Sequence, residues 1–239
     1  MMINQNMRKY CLFILISLFV SAAPLQKATG QQNDFQCWPS GQLNLEEINN
    51  LRFHVEEEVR FHENASRIGR QINDLGVSYR INKYVKAALY YRLEAKWKNP
   101  DEHEWRNGIY GDLAFRVEPG RFLLGYRLRV QSSRVELNDE DGKWFDGVRN
   151  RHKFSVEYDL KGIPLAPFAE GEIFANLGGE DGSSLTDYRL WAGLNYNLNK
   201  KHEFSLKFGI DRELNVNNPL TAYIIAVGYT LNLKLSSVE

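Results

Sequence analysis

The sequence predicts an all-β protein, an antiparallel transmembrane β-barrel of about ten strands (alternatively twelve) with short periplasmic turns and longer extracellular loops. Three observations predict it. Val85–Trp97 (VKAALYYRLEAKW) is apolar at every odd position and carries Lys86, Arg92, Glu94 and Lys96 between them, a period of two that gives a strand one apolar and one charged face. The same alternation recurs along most of the chain. Its connections are short on one side and long on the other, as in outer-membrane barrels.

Residues 1–30 read as a signal peptide: Arg8 and Lys9 precede the apolar run Cys11–Val20, and small residues follow at Ser21–Ala23 and Ala28–Gly30. That apolar core is about ten residues long, against the ~20 a spanning helix needs. Cys11 leaves with it, so Cys37 is the one thiol expected after export, without an internal disulfide. Asp34-Phe35-Gln36 lacks the residues of a lipoprotein box, and a buried or lumenal thiol is the expectation. Residues 31–50 form a lead-in or irregular first strand, because Pro39 and Gly41 weaken Gln36–Glu46.

The barrel is expected over 51–235. Leu51–Phe61 sets Leu51, Phe53, Val55, Val59 and Phe61 against Arg52, His54, Glu56, Glu58 and Arg60, with Glu57 the exception. Ile68–Ile81 sets Leu75, Val77 and Tyr79 against Asp74, Ser78 and Arg80, and Asn82-Lys83 turns into Val85–Trp97. Arg106–Val117 and Phe122–Val130 flank the tight turn Glu118-Pro119-Gly120. Val148–Leu160, Tyr188–Leu198, Phe204–Ile210 and Tyr223–Leu235 continue the pattern. Leu165–Leu177 is ambiguous: Ala169, Gly171, Ile173 and Ala175 share one face, and Phe168, Glu170, Glu172 and Phe174 the other. Long loops are expected at Asn99–Glu104, Arg134–Gly147, Gly178–Asp187 and Asn215–Pro219, and 236–239 is a C-terminal tail. Even parity favours ten full strands beginning at Leu51, with twelve second.

The composition, 43% hydrophobic, 13% aromatic and 25% charged, is too apolar for disorder. A formal net charge of zero gives nucleic-acid binding no electrostatic support. The expected setting is the outer membrane of a Gram-negative cell. Outer-membrane lipid, lipopolysaccharide and the barrel-insertion machinery are the expected partners, with the oligomeric state open.

Several stretches together resemble a known family. They are EEEVRF (Glu56–Phe61), INDLGVSYRINKYVKAALYYR (Ile72–Arg92), LLGYRLRVQ (Leu123–Gln131), RNRHKFSVEYDL (Arg149–Leu160), PFAEGEIF (Pro167–Phe174) and DYRLWAGLNYNLNKKHEFSLKF (Asp187–Phe208). In this order the sequence resembles DUF2490, a bacterial outer-membrane family of unknown function. The resemblance implies a β-barrel and assigns no activity or functional residue. Ser236-Ser237-Val238-Glu239 follows Leu235 where many such barrels end in an aromatic residue.

The charged face collects Glu56, Glu58, Arg60, Arg80, Arg92, Glu94, Arg116, Arg127, Arg129, Arg149, Arg151, Glu157 and Arg189. In a narrow lumen such charges must pair, and the arginine fork suits a carboxylate. The expectation is a structural ion-pair network or a narrow, largely plugged pore; a small-ligand site whose arginine excess favours anions is the other reading. Tyr79, Phe122, Tyr158, Tyr196, Phe204 and Tyr229, on the apolar face near the short turns, are the expected interfacial girdle. A lipid-modifying enzyme is the remaining alternative. Its nearest base and nucleophile pairs, His152 with Ser155 and His202 with Ser205, are three apart and so on opposite strand faces. The sequence therefore predicts no enzyme, catalytic residue or cofactor. It predicts no metal site either, the acidic stretches Asp139–Gly142 and Glu180–Gly182 lacking the spaced ligands of a calcium loop.

Overall fold

The computed structural model describes residues 32–48, 50–99, 101–132, 135–136, 148–177 and 183–234. The expected leader, both acidic stretches and the C-terminal tail lie outside the described residues. The strands are β1 (Gln32–Ile48), β2 (Leu51–His62), β3 (Arg67–Arg80), β4 (Val85–Asn99), β5 (Glu102–Val117), β6 (Phe122–Ser132), β7 (Val135–Glu136), β8 (Val148–Tyr158), β9 (Leu165–Leu177), β10 (Ser184–Asn197), β11 (His202–Glu213) and β12 (Leu220–Lys234). The two residues of β7 only extend the edge of β5. The other eleven follow the order β4-β3-β2-β1-β12-β11-β10-β9-β8-β6-β5, and β5 pairs back onto β4 to close a barrel.

The strand number is thus eleven, neither ten nor twelve, and the barrel begins at Gln32 instead of Leu51. An odd number of up-and-down strands leaves the first and last running in the same direction. Accordingly β1 and β12 pair in parallel from Gln32↔Leu220 to Glu46↔Lys234 without a register shift, while every other pair is antiparallel. The feature that weakens β1 in the sequence is accommodated locally. Pairing with β2 includes Cys37↔Phe61 and resumes at Ser40↔Glu58, so Pro39, with no N–H to donate, falls in a gap of the ladder.

Connection length separates the two ends. At the short-turn end Asn50, Gly120 and Gly162 take positive φ of 68°, 68° and 75°. At the other end the connections from β6 to β8, β9 to β10 and β11 to β12 are longer. The long loop expected at Asn99–Glu104 is not one: β4 reaches Asn99 and β5 begins at Glu102, with Asn99 Nδ2 donating to Glu102 Oε2 at 2.9 Å.

Burial is inverted relative to a water-soluble domain. Leu89 and Phe154 on the outer face are 56% and 58% exposed, whereas Glu94 and Glu172 inside are 0% and 3% exposed. Alternation alone produces this. The ambiguous β9 resolves in the same terms: Ile173 is exposed on the outside, and Phe174 and Glu172 are buried in the lumen. Cys37 is half-buried and, next to lumenal Trp38, belongs to the outer face; the lumenal placement expected for it does not hold. Glu57, on the outer face of β2, accepts a hydrogen bond from Gln71 Nε2 at 2.7 Å.

Candidate functional site

The lumen is the place where the chain concentrates its chemistry. Alternate residues of every long strand point into it, and their charges meet in pairs. On β3 and β4, Arg92 grips Asp74 through both Nε (2.7 Å) and Nη2, and Tyr110 of β5 donates to the same carboxylate at 2.7 Å. Arg129 of β6 makes a two-pronged contact with Asp112 of β5, each arm 2.7 Å. Glu172 of β9 accepts from Arg127 at 2.7 Å and from both arms of Arg151 at 3.0 and 2.8 Å. Arg189 reaches Asp211 at 2.5 Å, Arg60 reaches Glu58 at 2.6 Å, and Lys153 reaches Glu170 at 2.8 Å. Fork-to-carboxylate geometry is the strong form of such a bond, and it offsets the desolvation that burial imposes on each ion.

Aromatic rings fill the gaps between the pairs. Tyr90 and Tyr110 stack at 4.7 Å, and Arg129 lies over the Tyr110 ring at 3.9 Å. Nearer the long-loop end Trp38 and Trp191 meet edge to face at 5.7 Å, with Arg60 over Trp38 at 3.8 Å and Arg151 over Phe174 at 4.6 Å. A guanidinium over a ring face keeps a favourable electrostatic partner on its flat side while its edge donates. The two Trp rings, Ile224, Ala222 and Ala226 make a small apolar cluster inside the barrel, against which Phe168 packs.

Together these side chains divide the interior. A central space of about 160 Å³, lined by Glu58, Arg60, Asp74, Arg92, Glu172 and Arg189 among others, separates a vestibule of about 360 Å³ at the long-loop end from a cavity of about 890 Å³ at the short-turn end.

The thirteen charged residues that the sequence assigns to this face all sit on inward strand positions, but in different places. Glu58, Arg60, Arg92, Arg127, Arg129, Arg151 and Arg189 form the pairs above. Glu56 lines the central space. Glu94 lies 3.6 Å from Arg70, Arg149 donates to Asn176 at 3.2 Å in the vestibule, and Glu157 accepts from Asn195 at 2.6 Å. Arg80 and Arg116 stand apart from the paired centre, at the short-turn mouth. Sequence reasoning left out the carboxylates Asp74, Asp112, Glu170, Glu172 and Asp211, and the rings of Trp38, Tyr90, Tyr110, Phe174 and Trp191. A signal for three of them was present. Asp74↔Arg92, Asp112↔Arg129 and Arg189↔Asp211 are direct cross-strand partners, which folding each hairpin about its marked turn brings opposite each other.

Outside, Phe122 meets Tyr158 at 4.9 Å and Phe204 meets Tyr229 at 5.1 Å. Tyr196 is the register partner of Phe204, and Tyr79 is exposed near the end of β3. His152 and His202 hydrogen-bond the Tyr126 and Tyr229 hydroxyls, each at 2.8 Å, whereas Ser155 and Ser205 line internal cavities.

A comparison with curated proteins finds no match. The model of a family described as protein of unknown function (DUF2490) matches residues 35–214, most of the barrel from β1 into the connection before β12, and the chain belongs to that family.

Proposed function

We propose that this protein is an outer-membrane β-barrel of a Gram-negative cell whose own ion pairs largely plug the lumen, making it a structural element or a narrow pore. One observation carries the reading: large apolar side chains cover the outside while Glu94, Glu172 and Arg92 are buried within. In water that arrangement exposes what should be hidden; in a bilayer both faces are satisfied. Strands of 11 to 17 residues at about 3.3 Å per residue cover an apolar band of about 25 Å even when tilted by about 40°. The short turns then face the periplasm and the longer loops the outside. Outer-membrane lipid and lipopolysaccharide are the surrounding partners, and the insertion machinery delivers the chain. No hydrolytic role is assigned, because His152 and His202 point away from Ser155 and Ser205.

Fractionation of cells expressing the full chain tests the location. The expected result is recovery with outer membranes and a heat-dependent mobility shift on a gel; a soluble periplasmic protein without the shift would refute it. Planar-bilayer recording tests the plug, with conductance far below that of an open porin expected. A large, steady open-channel conductance would refute the plug and leave the barrel standing.

A further inference from the structure

Polar side chains interrupt the apolar outer wall midway between its two ends. Glu57, the residue that breaks the polarity pattern of β2, is exposed on the outside near the middle of that strand (Leu51–His62). Asn73, its direct register partner on β3 (Arg67–Arg80), is likewise mid-strand, with Gln71 next to it on the same face. Counting by twos from exposed Val55 and Leu75 puts all three outward. Exposed apolar residues bound the patch on both sides, Phe35 and Ile68 toward the long loops and Val55 and Leu75 toward the short turns. Among the described outward positions of β1 to β4, Glu57 is the one charged residue.

The hydrogen bonding of this patch is incomplete. Gln71 Nε2 donates to one oxygen of Glu57 at 2.7 Å. Among the described residues, the other oxygen and the side-chain amide of Asn73 make no side-chain hydrogen bond. Gly41 faces Glu57 from β1, and nothing lies within 4 Å of where its Cβ would be. A notch therefore opens beside the carboxylate.

In the membrane orientation proposed above, on which this inference rests, the patch lies near the middle of the apolar band. Hydrocarbon offers a carboxylate no donor, and a charge on the lipid face costs more the deeper it lies. Headgroups are about half of the ~25 Å band away. What satisfies Glu57 is a protein surface that presents donors at the same depth. The patch is itself such a surface, since Asn73 has two amide hydrogens to give and Gln71 has one left. A two-fold axis along the membrane normal keeps every residue at its own depth and lays a surface against itself. We propose that the β1–β3 flank is an interface between two copies of this chain, in which Glu57 of each copy accepts from Asn73 of the other. The notch at Gly41 gives the incoming side chain room.

The test measures energy transfer between copies of the full chain that carry donor or acceptor dyes on Lys161→Cys, at an exposed short turn, in a Cys37→Ser background. The chain is reconstituted in phosphatidylcholine vesicles and diluted with lipid. Transfer above the level of random proximity is expected, falling as lipid is added. Glu57→Leu and Asn73→Leu should each weaken association about tenfold, the loss of two symmetry-related hydrogen bonds. Phe154→Leu on β8, across the barrel from β2 and β3, should leave it unchanged. A heat-modifiability gel verifies folding, and Asn73→Leu carries the test should Glu57→Leu not fold. Transfer by the parent chain at the random level means that lipid or another protein covers the flank, and it overturns the proposal while leaving the barrel in its membrane. Association undiminished in a folded Leu variant overturns it as well. A chain that neither enters vesicles nor shows the heat shift refutes the membrane reading, and this inference with it.

Discussion

Asn44 of β1 donates its side-chain amide to Asn232 of β12 at 2.8 Å across the parallel seam. The same Asn44 oxygen accepts from Gln42 at 3.0 Å and lies 2.7 Å from His54 Nδ1, whose other ring nitrogen is 2.8 Å from Ser78 Oγ. A polar chain inside the barrel therefore ties the closing pair of strands to β2 and β3. Because each partner is buried or half-buried, an error in register would strand several of them at about 1–3 kcal/mol each.

The seam can be tested directly. Leu43 and Leu231 are register partners, so in a Cys37→Ser background the pair Leu43→Cys/Leu231→Cys should form a disulfide under mild oxidation. Leu43→Cys/Leu233→Cys, displaced by two residues, should not, since its Cα atoms exceed the ~7 Å limit for a disulfide. The readout is a shift on a non-reducing gel. Crosslinking of neither pair would sink the eleven-strand closure.

Glu172 serves Arg127 and Arg151 together, so Glu172→Gln should cost about 3–5 kcal/mol by leaving buried cations without their counter-charge. Adding Arg151→Gln should cost less than the two single losses combined, with a coupling of about 1 kcal/mol or more. Urea unfolding in detergent micelles measures both. Strict additivity would mean that the pair does not cooperate.

Gly193 has no room for a side chain: a Cβ there would lie 2.5 Å from the Leu206 carbonyl oxygen and 2.8 Å from Phe168. Gly193→Ala should therefore cost about 3 kcal/mol or prevent closure. Gly41→Ala, where nothing lies within 4 Å, should stay within about 0.5 kcal/mol of the parent. The yield of heat-modifiable protein separates the two.

Glu63, Asn64 and Ala65 all take left-handed backbone angles, φ 53°, 58° and 59°. Asp34 holds the turn, accepting from the amides of Glu63 and Asn64 at 3.3 and 2.8 Å. Alanine tolerates that conformation poorly, so Ala65→Gly should stabilise by about 1 kcal/mol and Asp34→Ala should destabilise by about 1 kcal/mol. A higher unfolding midpoint for the first and a lower one for the second are the expected results.

The barrel class was legible because period-two alternation survives in nearly every strand, Val85–Trp97 most clearly. Parity was not. Phe35, Cys37, Leu43 and Leu45 of β1 keep the outward pattern, but Pro39 and Gly41 interrupt it, and nothing local reveals a partner as distant as β12. The charged face was legible as a face and only half legible as a site. Arginines advertise themselves, whereas Asp74 and Glu172 acquire meaning only when the register sets them beside Arg92 and Arg151. Phe174 and Trp191 are apolar residues on the wrong side of a simple polarity rule: alternation places them in the lumen, where Arg151 and Arg189 lie over Phe174 and Lys207 lies over Trp191.

The parallel seam also imposes an order of events. Every hairpin can form as soon as its two adjacent strands exist, whereas Asn44 waits for a partner 188 residues further along. Until β12 arrives, β1 and the last strand already paired remain open edges able to template any passing strand. Closure is thus the slow, long-range step, and those two edges stay unpaired until the last strand is in hand.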